Sequence, residues 1–296
     1  MLRLRLLTLA ACLQATLVAA RFNILDFGAV SNDDSLKAEH ANQHAIKKAL
    51  EAANETDDSS QREVYVPTNM TFSCLPIIEN NLTDITLTID GTIKASKRMI
   101  HYGANTKNNM HIHNFFEFEF FNNLTIRGNG TVDGQGYMWW IREYLGTNPH
   151  GRPILLDMRK SNNIEVTGVR WINSPFFHMH IQDFENGYFH DFEIWVDAKG
   201  QLELDRLLLG EQSTNLAFPH LTLPTYPLNT DGIDPAGRNI LIERVNITSY
   251  DDAVALKGSK NNWTYSKCTE NVIVRDCNVW FSTGMTVGSI IPRETY

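Results

Sequence analysis

The sequence predicts an all-β coil of stacked parallel strands, a parallel β-helix, closed at its N-terminal end by one capping helix. Three observations predict it. An asparagine-led stretch recurs at Asn123, Asn163, Asn186, Asn239 and Asn271. Each copy runs through an alternating apolar strand, a short polar break and a second strand, as in "NIEVTGVRWINS" and "NILIERVNITSYDDAVAL". The starts lie 40, 23, 53 and 32 residues apart, which fits one turn of about 20 residues with insertions of varied length at one corner. One turn cannot bury its inward side chains alone. Stacking turns at about 4.8 Å pairs each strand with those above and below and fills the interior with Val, Ile and Leu. A β-sandwich is the competing architecture. It requires hairpin turns every ~8–12 residues, which the repeats do not supply.

Taken in chain order, residues 1–20 read as a signal peptide. Arg3 and Arg5 make a basic start, Leu6 to Val18 is mostly apolar, and Val18-Ala19-Ala20 offers small residues for cleavage before Arg21. The apolar run is shorter than the roughly 20 residues that span a bilayer. The expected product is secreted and extracellular, with no membrane attachment after cleavage, and residues 21–296 form the β-helix domain. Asn-x-Ser/Thr sites at Asn54, Asn69, Asn81, Asn123, Asn129, Asn246 and Asn262 agree with export as a glycoprotein. Between Asn32 and Asn54, His40, Ala41, His44, Ala45, Ile46, Ala49 and Leu50 recur with helical spacing. Gly200 to Pro227, rich in Leu and Pro, reads as a long loop flanking a cleft. The chain stops soon after a repeat with no cap for its last turn, so C-terminal truncation is expected.

The formal charge is −8. An acidic chain offers no electrostatic footprint for nucleic acid. It gives no global steering toward a polyanion either, so recognition of one has to be local. Once Cys12 leaves with the signal, Cys74, Cys268 and Cys277 remain. Cys268 and Cys277 are near enough in sequence to close a short loop, and Cys74 is then left over. No Cys/His spacing resembles a zinc site.

Four aspartates stand out: Asp231 and Asp234 in "NTDGID", and Asp251 with Asp252 in "SYDDAVALKGS". Singly, such residues serve turns. Asp231 and Asp251, however, are 20 residues apart, about one turn of the coil, and so should stack on one outer face. With Asp252 offset sideways, a carboxyl pair falls at about 6.5–9.5 Å, the separation that leaves room for water in an inverting glycosidase. Crowded carboxylates disfavour full ionisation, which raises the proton affinity of one of them, as a general acid requires.

The ordered set "FNILDFGAV", "GNGTVDGQGYMWW", "NSPFFHMH", "NTDGID" and "DDAVALKGS" resembles the polygalacturonase family of pectin-degrading glycosidases, glycosyl hydrolase family 28. That group includes exo-acting and rhamnogalacturonan-cleaving members. The resemblance covers nearly all of the chain after the signal. It implies a right-handed parallel β-helix, a pectin-lyase-like solenoid, that hydrolyses α-linked galacturonic-acid bonds in pectin without metal or organic cofactor. By motif, Asp251 resembles the general acid, and Asp231 and Asp252 the pair that positions and activates water. His180, Lys257 and Asn229 are the expected sugar-binding residues, a pectic polysaccharide the expected partner, and a monomer the expected state. Trp139 and Trp140 are read as packing residues of a turn, and Arg152 as a weaker candidate for a substrate carboxylate.

The sequence departs from the family pattern twice. Asn271 to Thr283 repeats the 12-residue step from Asn239 to Asp251, so Thr283 stands in register with Asp251, where the family usually carries a histidine. The family's later Arg-Ile-Lys motif is absent. These departures keep two other readings in view: a catalytically impaired or non-catalytic pectin-binding β-helix, and a pectate-lyase-like eliminase. The second needs a base and usually calcium, and the sequence sets no basic residue obviously beside the acids.

Overall fold

The computed structural model of the protein describes residues 21–103, 112–148, 151–200, 229–258, 264–265 and 268–289. The expected signal peptide, the expected loop after Gly200, and Asn262 lie outside the described residues.

The strands pair in parallel and wrap into a coil with three faces. The first face stacks Ile77–Asn80, Phe116–Glu119, the leading halves of Leu156–Thr167, Met179–His190 and Ile233–Glu243, then Asp252–Leu256 and Gly284–Val287. The second stacks Glu63–Val66, Thr83–Ile89, Asn122–Arg127, the trailing halves of the same three long strands, and Glu270–Arg275. The third runs from Thr71–Cys74 through Thr92–Ala95, Thr131–Asp133, Arg170–Ile172, Glu193–Trp195 and Asn246–Thr248 to Asn278–Trp280. Successive parallel strands joined this way make the right-handed crossover expected of L-residues. The architecture is a right-handed parallel β-helix, not a sandwich.

The repeat spacing of the sequence is the spacing of the turns. Leu124, Ile164, Gly187, Ile240 and Val272 stack in register on the second face. Inside, Val64, Leu87, Ile126, Val166, Phe189 and Ile242 form one buried column. Burying each such side chain contributes about 1.5–3 kcal/mol. The asparagine that opens each repeat takes a left-handed conformation, with φ of 58° at Asn123, 53° at Asn163, 61° at Asn186, 58° at Asn239 and 52° at Asn271. Few other L-residues tolerate that backbone. Most of these asparagines also bond to one another. Asn186 donates to Asn163 at 3.0 Å, Asn239 to Asn186 at 3.0 Å, and Asn271 to Asn239 at 3.1 Å.

Long connections fall chiefly between the third and first faces, after Ala95, Asp133 and Trp195. A further one separates Leu256 from Glu270 at a different corner, so the insertions are not confined to one. The capping helix is Leu36–Asn54, started by the Ser35 side chain on the Ala38 N–H. Ala45, Ile46, Ala49 and Leu50 are buried against the first turns, as the periodicity requires. His40 and His44 are exposed, and Asn42 takes the buried place. Its amide accepts from the Val30 N–H and donates to the Val30 and Ser73 carbonyls. The Cys268–Cys277 loop closure is not formed, and all three described cysteines are free. The extended strand Glu270–Arg275 separates the two thiols, and at about 3.3 Å per residue it carries them far beyond the ~7 Å that a disulfide allows.

Candidate active site

Asp231, Asp251 and Asp252 converge where the third face turns into the first. One carboxyl oxygen from each lies within 4.8 Å of the others. The backbone enforces this. The His178 N–H donates to the Asp231 carbonyl at 2.8 Å, the Gly232 N–H to the Asp252 carbonyl at 2.8 Å, and the Thr283 N–H to the Asp251 carbonyl at 2.9 Å. Gly232 makes the close approach possible, because a Cβ there would sit 2.4 Å from the Ala253 carbonyl oxygen. The register refines the expected stacking: Ile233 pairs with Val254, which sets Asp231 level with Asp252 rather than with Asp251. The oxygens are also closer than the expected 6.5–9.5 Å. Oxygens no more than 4.8 Å apart lie within the span that one water bridges with two hydrogen bonds of ordinary length.

The three carboxyls have different surroundings. Asp251 accepts two backbone N–H groups, from Asn229 at 2.8 Å and from Asp252 at 2.9 Å. Asp252 accepts two hydroxyls, from Thr283 and, at 2.8 Å, from Thr286. Asp231 is only 3% exposed, and its Oδ1 has no hydrogen-bond partner. Burial, followed by the charge of Asp251, pushes its carboxyl up to about 7. Burial and the charge of Asp231 likewise raise Asp234 well above the usual carboxylate range. Asp231 and Asp234 are thus both held toward their protonated forms, and the motif gives the donor role to Asp251.

Lys257 stands beside this cluster, with its Nζ 3.2 Å from Asp234 and 3.8 Å from Asp231. A basic residue thus does lie next to the acids, contrary to the sequence reading, and it is ion-paired with Asp234. The Asn229 side chain is likewise engaged, accepting from Arg152 at 3.0 Å, and it is the backbone N–H of Asn229 that serves Asp251. Arg152 is buried between the Pro175 carbonyl, the Phe176 ring and Asn229. His180 lies on the first face beside Asp234, with its Nδ1 2.8 Å from the buried Asp157. Burial works to raise Asp157, but the His180 hydrogen bond and the Arg159 charge outweigh it and hold the carboxyl low. Trp139 and Trp140 are packed, the latter donating to the Ser174 carbonyl at 3.0 Å.

Two positioning residues were not singled out in the sequence. Thr286 is one, and only the register across turns brings it to Asp252. His178 is the other. Its Nδ1 faces the Thr230 and Asp231 carbonyls at 3.1 Å, and its Nε2 faces the Ser174 N–H at 3.3 Å. Those partners require a proton on Nδ1 and a lone pair on Nε2. Burial keeps the ring neutral, lowering it to about 4. His178 therefore fixes the turn that carries Asp231.

Residues 57–295 match the model for the glycosyl hydrolases of family 28. The chain belongs to that family. A probable polygalacturonase of Vitis vinifera is 25% identical over 287 residues, covering 90% of this chain and 51% of the relative. A polygalacturonase of Juniperus ashei is 26% identical over 288 residues, covering 92% of this chain and 46% of the relative. The chain thus spans about half the length of these curated relatives. Among solved structures, an exopolygalacturonase from Thermotoga maritima superposes with a TM-score of 0.64 at 21% identity, over 92% of this chain and 63% of that one. A polygalacturonase from Erwinia carotovora gives 0.63 at 23%, over 92% and 65%. These likenesses bear on the fold. Thr283 stands in the register of Asp251, as the spacing predicts, and its hydroxyl donates to Asp252.

Proposed function

We propose that this chain is a secreted, monomeric glycosidase that hydrolyses α-linked galacturonic-acid bonds of pectin with inversion, through Asp231, Asp251 and Asp252. The observation that carries the reading is the convergence of the three carboxyls within 4.8 Å at one corner of the coil. Membership in family 28 and the polygalacturonase names of the relatives support the reaction class and a pectic substrate.

In this reading Asp251 faces the groove and protonates the glycosidic oxygen as the bond to the anomeric carbon breaks. A water held between Asp231 and Asp252 attacks that carbon from the opposite side, and Asp252 takes its proton. The two threonine hydroxyls fix the orientation of the Asp252 carboxyl that takes this proton. Protons in so tight a cluster redistribute as a unit. Asp231, held toward its protonated form, lies within the same cluster as Asp251.

Asp251→Asn should lower turnover of polygalacturonate by several orders of magnitude while leaving the unfolding midpoint nearly unchanged. Turnover at the wild-type rate in that variant defeats the assignment. Lys257 beside Asp231 gives the eliminase reading one observation in its favour, and an unsaturated, ultraviolet-absorbing product would select it. Binding of oligogalacturonide without turnover, unchanged by Asp251→Asn, would select a non-catalytic binding module.

A further inference from the structure

We propose that a cationic pocket beside the helix Tyr137–Tyr144 is an accessory site for carboxylated sugar units of the same chain that the aspartates cleave. This rests on the hydrolase reading for the identity of the polymer. The pocket has a volume of about 550 Å³. Its lining combines apolar side chains, Met99, Met138 and Trp139, with the charged Lys97, Arg98 and Arg142. Among the described residues no acidic side chain lines it. In a chain with a formal charge of −8, that is a local reversal of sign.

The charges are not all equal. Arg98 is tied to Glu39 and to the Asp34 carbonyl. Lys97 and Arg142 are exposed and have no ion-pair partner among the described residues. Apolar side chains beside exposed cations suit an acidic pyranose, which has an apolar C–H face and a carboxylate at its edge.

The position suits a polymer. The pocket opens at the corner that follows Thr92–Ala95 and Thr131–Asp133, and the aspartates sit at the same corner after Glu193–Trp195 and Asn246–Thr248. Thr92, Thr131, Arg170, Glu193 and Asn246 are consecutive rungs in register. At about 4.8 Å per rung the two sites lie ~15–20 Å apart along the axis. An oligosaccharide of several units spans that distance and a single sugar does not. The helix also links them: Arg142 lines the pocket, and the next residue, Glu143, lies 3.5 Å from Arg152, which holds Asn229 under Asp251.

The test compares the wild type with the Lys97→Gln/Arg142→Gln double variant, using trigalacturonide and a long oligogalacturonide. Both side chains are exposed, so the variant should keep the wild-type unfolding midpoint. We expect affinity for the long chain to fall about tenfold and to lose part of its salt dependence, with trigalacturonide binding and turnover unchanged. Lys97→Arg/Arg142→Lys should retain most of the long-chain affinity. Equal effects on both lengths, or on neither, overturn the pocket. A wild type that binds the long chain through these two residues but hydrolyses nothing leaves the pocket standing and removes the hydrolase reading instead.

Discussion

Where the first face turns into the second, Asn186 donates to Asn163 and accepts from Asn239, and every member of that stack has its partner. Where the third face turns into the first, the chain also uses left-handed residues, with φ of 58° at Asn229 and 62° at Tyr250, yet it delivers three carboxyls to one place. Amide ladders satisfy themselves, because each side chain carries both donor and acceptor. Ionised carboxylates only accept, so they depend on N–H and O–H groups brought by other turns. Asp251 and Asp252 each receive two, and Asp231 Oδ1 receives none. One corner holds the coil together. The other stores an unfavourable charge arrangement that the rest of the coil has to support.

The sharpest way to break that comparison is Asp231→Asn. Activity should fall by at least about a hundredfold if Asp231 helps hold the attacking water. Stability should move the other way at high pH. The Asp231 carboxyl is raised from 3.8 to about 7 in the folded chain. Its stabilising contribution is complete below the ordinary carboxylate value and is lost as pH rises through about 7. The variant should therefore unfold at nearly the wild-type temperature near pH 4 and at a higher temperature at pH 8. Parallel melting curves across that range would contradict the charge assignment.

A smaller effect is expected on replacing the donors to Asp252. Thr283→Val combined with Thr286→Val should lower kcat by about ten- to a hundredfold, in line with lost positioning, with KM little changed. Serine at both positions should restore most of the rate. A loss carried mainly by KM would assign the threonines to substrate binding. The smallest effect belongs to the other corner. Asn186→Ala removes ladder bonds and sets alanine in a left-handed backbone, costing about 1–2 kcal/mol in stability. Its specific activity should equal wild type, and a selective loss of activity would mean that the two corners are coupled.

Much of the coil was legible because its signals are local. An asparagine at each left-handed corner and an apolar strand after it repeat in sequence at the separations by which the turns stack. The three aspartates were legible by motif and by their spacing of about one turn. What escaped depends on where side chains point between turns. Nothing near Thr286 marks it as a donor to Asp252, 34 residues away. The two histidines of "NSPFFHMH" look alike in sequence. The fold turns His178 inward to pin the Asp231 turn and sets His180 outward against Asp157. Helical spacing does not reveal which side faces the core: His40 and His44 point to solvent, and Asn42 takes the buried place because Val30 and Ser73 offer it partners.

The direct test of a water poised between Asp231 and Asp252 is the anomeric configuration of the first product, followed by proton NMR during early digestion of a defined oligogalacturonide. Attack by that water on an α-linkage gives the β-anomer first, with a saturated non-reducing end. Initial appearance of the α-anomer, or of an unsaturated product, would contradict the account.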